Sequence, residues 1–414
     1  CIRDRGKTMA RVARAAVLRA GGSTKLLAKL EGALGAISAG EMDWPSAKIH
    51  FSAAKKHFAD VNDSSAQSRL DLAVSLLNLG TVLSSLGEFE KALSQMQEAT
   101  EIWREAFGEL HPKVASSHYN IGLLHFQQDE HEMALKELET ALSIRKQVYG
   151  ERHLLVAETL RLMALIASAQ ENYEETRELL EQVLEVQRET LRAEHPKIAF
   201  TQHDLGSAFF DLRFLDKARH HMESALAIRL QALGPEHPLT VSTRVNLGLL
   251  DVHEGDTQSA LAHYQAAHEV WLKVHGPKHA KVALVLSNLG LLHLSMEEPE
   301  KALQYCKDAI EAQGEEDLES MLCMARAKLN MGDAKGSLAL AEKTLSLMPP
   351  GESTPELNFH LALALWETNS DRERAIALAQ GVRDHYAAVA KRYPKRTDEL
   401  DEVATWLQAR AATP

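Results

Sequence analysis

The chain has 414 residues, ordinary apolar and charged fractions, few aromatics and a net charge of −12. No run of 18 apolar residues occurs, which excludes a membrane-spanning helix on hydropathy. Residues 1–30 carry eight Lys and Arg against Asp4 alone, a net +7 that leaves −19 on residues 31–414, and so acidic a body lacks the cationic stripe that binding nucleic-acid phosphate requires.

Residues 1–22 are a basic leader. From Met9 it reads Met9-Ala10-Arg11-Val12-Ala13-Arg14-Ala15-Ala16-Val17-Leu18-Arg19, rich in Arg and Ala and free of acid, as organelle transit peptides are. The alternatives are a solvated basic helix, a disordered tail, or read-through ahead of a start at Met9. Gly6-Lys7-Thr8 imitates the end of a phosphate-binding loop, but Cys1 stands where its first glycine belongs and no strand precedes it. Residues 23–65 read as a degenerate helical hairpin, with Leu26, Leu27, Leu30, Leu34 and Ile37 before Gly40 and Ala47, Phe51, Ala54 and Phe58 after it.

Residues 66–312 hold six regular 42-residue repeats. One ladder is Asn78-Leu79-Gly80, Asn120-Ile121-Gly122, Leu162-Met163-Ala164, Asp204-Leu205-Gly206, Asn246-Leu247-Gly248 and Asn288-Leu289-Gly290. A second is Ala92, Ala134, Thr176, Ala218, Ala260 and Ala302, echoed seven residues on by Ala99, Ala141, Val183, Ala225, Ala267 and Ala309. A third sets His111, His153, His195, His237 and His279 in the links. In the second regular repeat, Pro112 suits the first position of a helix whose apolar residues are Val114, Tyr119, Ile121, Leu123 and Leu124. After Asp129-Glu130-His131-Glu132 a second helix runs from Met133 to Tyr149, and Gly150 is expected to close it in a left-handed cap. A short turn between amphipathic helices makes an antiparallel hairpin, in which Gly80, Gly122, Gly206, Gly248 and Gly290 meet Ala92, Ala134, Ala218, Ala260 and Ala302 so that backbones approach. Residues 313–394 contain two diverged, shorter repeats, marked by Gly332, Ser337 and Thr344 and then by Leu361, Leu365, Ala375 and Val382. Residues 395–414 form a capping helix and tail around Leu400, Val403, Trp406 and Leu407.

Leu-Gly on the first helix with two alanines seven apart on the second resembles the tetratricopeptide repeat. The 42-residue unit and its link, Gly108-Glu109-Leu110-His111-Pro112-Lys113-Val114-Ala115, resemble the kinesin light chain type of that repeat. The resemblance implies an all-α fold, a right-handed superhelical solenoid of antiparallel helix pairs, here about nine repeats plus a C-terminal capping helix. Residues 1–65 lack the sustained heptads that motor attachment would need.

Ser116, Asn120, Leu123 and Gln127 share one face of their helix, apart from the face set by Gly122. The family resemblance implies that this face lines a concave groove that takes short peptides or helices. Asn is a poor mid-helix residue, about 0.5 kcal/mol worse than alanine, yet Asn or Asp fills five of the six equivalent positions. A row of carboxamides can both donate to and accept from an extended ligand backbone; the competing reading is that each Asn bonds the neighbouring hairpin. The candidate groove residues are Asn78, Asn120, Asp204, Asn246 and Asn288, with Tyr119, Arg161 and His203 beside them and Arg244 as a weaker candidate. Arg161 and Arg244 are candidates for a ligand carboxylate.

The link histidines read as turn caps, since repeats hold them too far apart for one metal. Three cysteines, Cys1, Cys306 and Cys323, are too few for a disulfide framework and match no paired metal-ligand spacing, which favours a reducing compartment; Cys306 and Cys323 read as packing residues. No catalytic motif is present. The expectation is a non-enzymatic scaffold or adaptor with no cofactor, no metal and no small-molecule substrate, whose partner is a peptide or helical segment of another protein. Its expected location is cytoplasmic. The alternative is a structural or assembly subunit of a mitochondrial or other organellar complex, directed by the leader; an enzyme is the third and least supported class.

Overall fold

The computed structural model describes residues 12, 15–17, 19, 21–60, 66–313 and 317–411. Most of the leader, including Cys1, Gly6-Lys7-Thr8 and Met9, lies outside the described residues, as do residues 61–65, 314–316 and 412–414. Every regular element among the described residues is an α-helix. The chain divides into two compact units, Cys1–Thr190 and Leu191–Pro414. The break falls in a link of altered sequence. Links at Gly108, Gly150, Gly234 and Gly276 begin with a glycine, whereas the equivalent place holds Arg192.

Among the described residues the first unit contains four hairpins: α1 (Thr24–Gly40) with α2 (Trp44–Asp60), α3 (Ala66–Ser85) with α4 (Phe89–Phe107), α5 (Pro112–Gln127) with α6 (His131–Tyr149), and α7 (Leu154–Ala169) with α8 (Tyr173–Thr190). Among the described residues the second contains five: α9 (Pro196–Asp211) with α10 (Leu215–Leu233), α11 (Pro238–Glu254) with α12 (Thr257–His275), α13 (Ala280–Ser295) with α14 (Pro299–Gln313), α15 (Leu318–Asn330) with α16 (Ala334–Leu347), and α17 (Pro355–Thr368) with α18 (Arg372–Arg392). A last helix, α19 (Asp398–Ala411), packs on α18 and buries Val403 and Trp406. Within each unit every helix packs on its successor.

The glycine ladder sets how closely the helices of a hairpin meet. A Cβ placed on Gly80 would lie 2.7 Å from Met96 Cγ and 3.0 Å from the Ala92 carbonyl oxygen; one on Gly122 would lie 2.8 Å from Leu138 and 3.2 Å from the Ala134 carbonyl. Ala92, Ala134, Ala218, Ala260 and Ala302 are fully buried. In the α7–α8 hairpin Ala164 takes the glycine's place, and buried Thr176 satisfies its hydroxyl by donating to the Asn172 carbonyl at 2.9 Å.

Three sequence expectations need correction. The link glycine Gly150 closes α6 at φ 81°, ψ 164°, an extended conformation of positive φ rather than a left-handed helical one, and Gly108, Gly234 and Gly276 do likewise. Only glycine enters that region without strain. The α1 helix turns Ala28, Glu31, Gly35 and Ser38 inward and leaves Leu26 and Ile37 exposed, because Gly35 admits the Phe51 ring where a Cβ would be 2.8 Å away. Finally, Cys306 and Cys323 are joined as a disulfide between α14 and α15. A Cβ on Gly290 would lie 2.8 Å and 2.7 Å from the two sulfurs, so the missing side chain leaves the space in which they meet. The inference of a reducing compartment loses that ground.

Candidate functional site

Among helices that are not consecutive, close approaches occur between first helices of successive hairpins: α1 with α3, α3 with α5 and α5 with α7 in the first unit, and α9 with α11, α13 with α15 and α15 with α17 in the second. The layer whose members crowd together is the inner side of a curved stack, so each unit presents its first helices on its concave face.

The Asn and Asp ladder lies on these helices: Asn78 on α3, Asn120 on α5, Asp204 on α9, Asn246 on α11 and Asn288 on α13, each half-buried. Leu162 holds the place on α7 and is buried. Asn246 Nδ2 lies 3.4 Å from His203 Nε2, which brings two candidate residues together. Among the described residues no hydrogen bond engages the carboxamides of Asn78, Asn120 or Asn288. Tyr119 offers its ring face to Arg145, whose guanidinium carbon is 4.6 Å from the ring centroid; burial, then the nearby Glu158 carboxylate, pushes its phenol pKa up. Arg161 is half-buried on α7. Arg244 stands beside His263 of α12, whose pKa burial lowers with help from that charge, and lines neither cavity described next.

Two adjoining cavities run along the concave face of the second unit. One, of about 470 Å³, is lined by Asn246, Leu249, Leu284, Asn288, Leu291, Leu322, Arg326 and Glu356, among others. The other, of about 740 Å³, shares Leu249, Leu291, Arg326 and Glu356 and continues to Leu294, Leu329, Phe359, Leu363, Tyr386 and Glu402. Together they form one leucine-walled groove from α11 to α19. Arg326, at its centre, makes no ion pair or hydrogen bond among the described residues; burial depresses its pKa, opposed by Glu356 and Glu402. The 42-residue period did not find Arg326, Glu356, Tyr386 or Glu402, because the spacing shortens beyond Gly314. The available signal was a ladder with an unequal last step, Leu249, Leu291 and Arg326.

One end of this groove is crossed by the start of α19. Arg213, in the turn between α9 and α10, donates to Glu399 Oε1 at 2.5 Å with its own side chain 9% exposed, and Lys395 Nζ sits 3.9 Å from the centroid of the Phe214 ring. Contacts between residues 186 apart in sequence thus tether the last helix to the unit's first hairpin. Removing a charged hydrogen bond of this kind costs about 2 kcal/mol. Arg213→Ala is therefore expected to speed amide exchange in α19 by about 30-fold, at about 1.4 kcal/mol per tenfold, while α1–α8 exchange unchanged. Equal exchange in α19 would show that the ion pair does not hold it.

The link histidines cap helices. His111, His153, His195, His237 and His279 each accept, through Nδ1, the backbone N–H two residues on, at 3.1 to 3.2 Å. Phe107, Tyr149 and His275 stack on three of them, with centroids 4.1 to 4.4 Å apart. Among the described residues no group of three or more His, Cys, Asp or Glu side chains is placed to hold a metal ion, and no helix is long and apolar enough to cross a membrane.

Residues 71–147, 114–189, 155–214, 197–267 and 243–315 match the tetratricopeptide repeat family. No curated protein matches the chain. Among solved structures, the apo form of the quorum sensor NprR from B. thuringiensis is 16% identical with a TM-score of 0.62, over 78% of this chain and 88% of that one. A Rap protein in complex with Competence and Sporulation Factor is 13% identical with a TM-score of 0.53, over 92% and 99%. A putative kinesin light chain from Podospora anserina, with nearly identical TPR-like repeats, is 23% identical with a TM-score of 0.43, over 49% and 95%.

Proposed function

The chain belongs to the tetratricopeptide repeat family, and from that premise we propose that it is a non-enzymatic protein-interaction scaffold whose second unit takes a peptide or helical segment of a partner in its concave groove. The observation that carries this reading is the unbroken groove from α11 to α19, where leucine walls surround two kinds of unspent hydrogen-bonding group: the Asn288 carboxamide and the Arg326 guanidinium. Apolar walls supply affinity, and a few convergent polar groups fix the register of a backbone. The Rap structure contains a bound factor; at such low identity that likeness supports the fold, and the groove's own chemistry supports the ligand class.

The test is selection of displayed 12-residue peptides on the wild-type chain, with counter-screening on Asn246→Ala/Asn288→Ala. The selected peptides are expected to bind the double variant about tenfold more weakly or worse, since losing two hydrogen bonds costs on the order of 1–3 kcal/mol, while circular dichroism stays unchanged. Peptides that bind both chains equally would move the site off this face. The Asn78 and Asn120 pair of the first unit, with Tyr119 and Arg161 nearby, is a second seat on the same reasoning, and Asp204 with His203 extends the row in the second unit.

A second reading, a structural or assembly subunit of an organellar complex, rests on the basic leader. It expects the leader to be removed in cells and the array to co-purify in a stable assembly; an intact N-terminus on the cellular protein would count against it. Without such import the scaffold is placed in the cytoplasm.

A further inference from the structure

The groove of the second unit has an uneven charge. Its interior carries one cation, Arg326, whereas its rim carries Glu319 on α15, Glu356 on α17 and Glu402 on α19, all exposed. None of these glutamates has a basic partner within ion-pair distance among the described residues; Glu356 accepts a hydrogen bond from the Tyr386 hydroxyl at 3.1 Å. Glu399, the fourth carboxylate of the lining, is already neutralised by Arg213. One guanidinium therefore faces three carboxylates that have no ion-pair partner among the described residues, within a unit, residues 191–414, that carries 24 Lys and Arg against 31 Asp and Glu, a net −7. Clefts with apolar walls focus such a field, and the field acts on a charged ligand during approach as well as in contact.

Resting on the groove reading above, we propose that the occupant is a cationic, apolar segment: Lys or Arg residues interleaved with leucine-like side chains. Its apolar side chains lie along Leu249, Leu291, Leu329 and Leu363, and its cations meet Glu319, Glu356 and Glu402 at the rim. An acidic segment would have to pass that rim to reach Arg326 and would gain one attraction against three repulsions. Arg326 is left to bind ligand carbonyl oxygens, which it can do without a net charge on the ligand.

The experiment uses the full chain and two fluorescein-labelled 12-residue peptides with one Leu and Ala pattern, carrying Lys at the polar positions in one and Glu in the other, followed by fluorescence anisotropy. The Lys peptide is expected to bind at least about tenfold tighter than the Glu peptide at about 50 mM salt, with the advantage shrinking at about 300 mM as screening sets in. Glu319→Gln/Glu356→Gln/Glu402→Gln should remove most of that advantage. Arg326→Gln removes the positive charge but keeps an N–H that can donate to a ligand carbonyl, so it should raise Lys-peptide affinity about threefold, a gain that misfolding cannot produce. Equal or tighter binding of the Glu peptide overturns the proposal; if that binding is still lost in Asn246→Ala/Asn288→Ala, the groove reading survives it. A Lys-peptide preference untouched by the three glutamine substitutions also overturns it, because the attraction would then belong to the chain's net charge. Binding of neither peptide rejects this ligand chemistry and leaves the groove to be judged by the displayed peptides.

Discussion

Gly206→Val is expected to lower the stability of the second unit by about 3 kcal/mol, with partial or complete loss of the α9–α10 hairpin. A Cβ at this position would lie 2.6 Å from Met222 Cγ, 3.2 Å from the Met222 backbone nitrogen and 3.3 Å from the Ala218 carbonyl oxygen. Two of those atoms are backbone and cannot rotate away, so the helices must part, and valine adds two methyl groups to the collision. Overpacking of this kind costs about 1–3 kcal/mol and sometimes more, and the β-branch adds a χ1 restriction within the helix. Gly381→Ala, on α18, is the matching control. Nothing lies within 4 Å of the Cβ it would add, so the helix propensity of alanine should stabilise by up to about 1 kcal/mol. Urea denaturation of the two variants should move in opposite directions. A Gly206→Val chain as stable as wild type would mean that close helix approach is not what the glycine ladder provides.

Acid is expected to weaken the second unit through His360. This histidine is 3% exposed on α17, its Nε2 is 2.8 Å from Ser337 Oγ on α16, and the Arg326 guanidinium on α15 stands nearby. Burial, then the Arg326 charge, push its pKa down from 6.5 to about 4. At pH 7 the imidazole is neutral in the folded chain and mostly neutral in the unfolded one, so its protonation affects stability little there. As pH falls below 6.5 the unfolded chain takes up the proton and the folded chain resists until about 4. Stability therefore declines across that window, by about 2 kcal/mol at pH 5 and about 3 kcal/mol at pH 4 from this residue. His360→Gln can keep a bond to Ser337 but has nothing to protonate. Its urea midpoint should fall less than the wild-type midpoint between pH 7 and pH 5, by a margin of about 2 kcal/mol. Parallel falls in both proteins would rule out His360 as the source.

The regular part of the fold was legible because one interval indexes three kinds of contact. Gly122, Ala134 and His111 each declare a local requirement, for close approach, for a small partner and for an N-terminal cap, and each requirement is met within its own hairpin or link. What the sequence hid depends on distance or on shape. The Cys306–Cys323 pairing needs the gap at Gly290, a residue on a third helix. The Arg213–Glu399 contact joins segments with no shared period. Arg192 in place of a link glycine was visible, but only the structure ties that link to a boundary between units. The Asn ladder marked the helix face on which Asn246 and Asn288 line a cavity. Arg326, Glu356 and Glu402 escaped, because they lie where the interval shortens and where α19 was read only as a cap. Gly150 shows a finer limit, since a glycine in sequence announces positive φ without saying which ψ accompanies it.

The most direct test of the groove as the binding surface is hydrogen–deuterium exchange of the full chain with and without a peptide selected by display. Protection confined to α11, α13, α15 and α17, together with the start of α19, is the predicted result. Protection on the second helices α12, α14 and α16, or on the first unit alone, would contradict it and place the partner elsewhere on the chain.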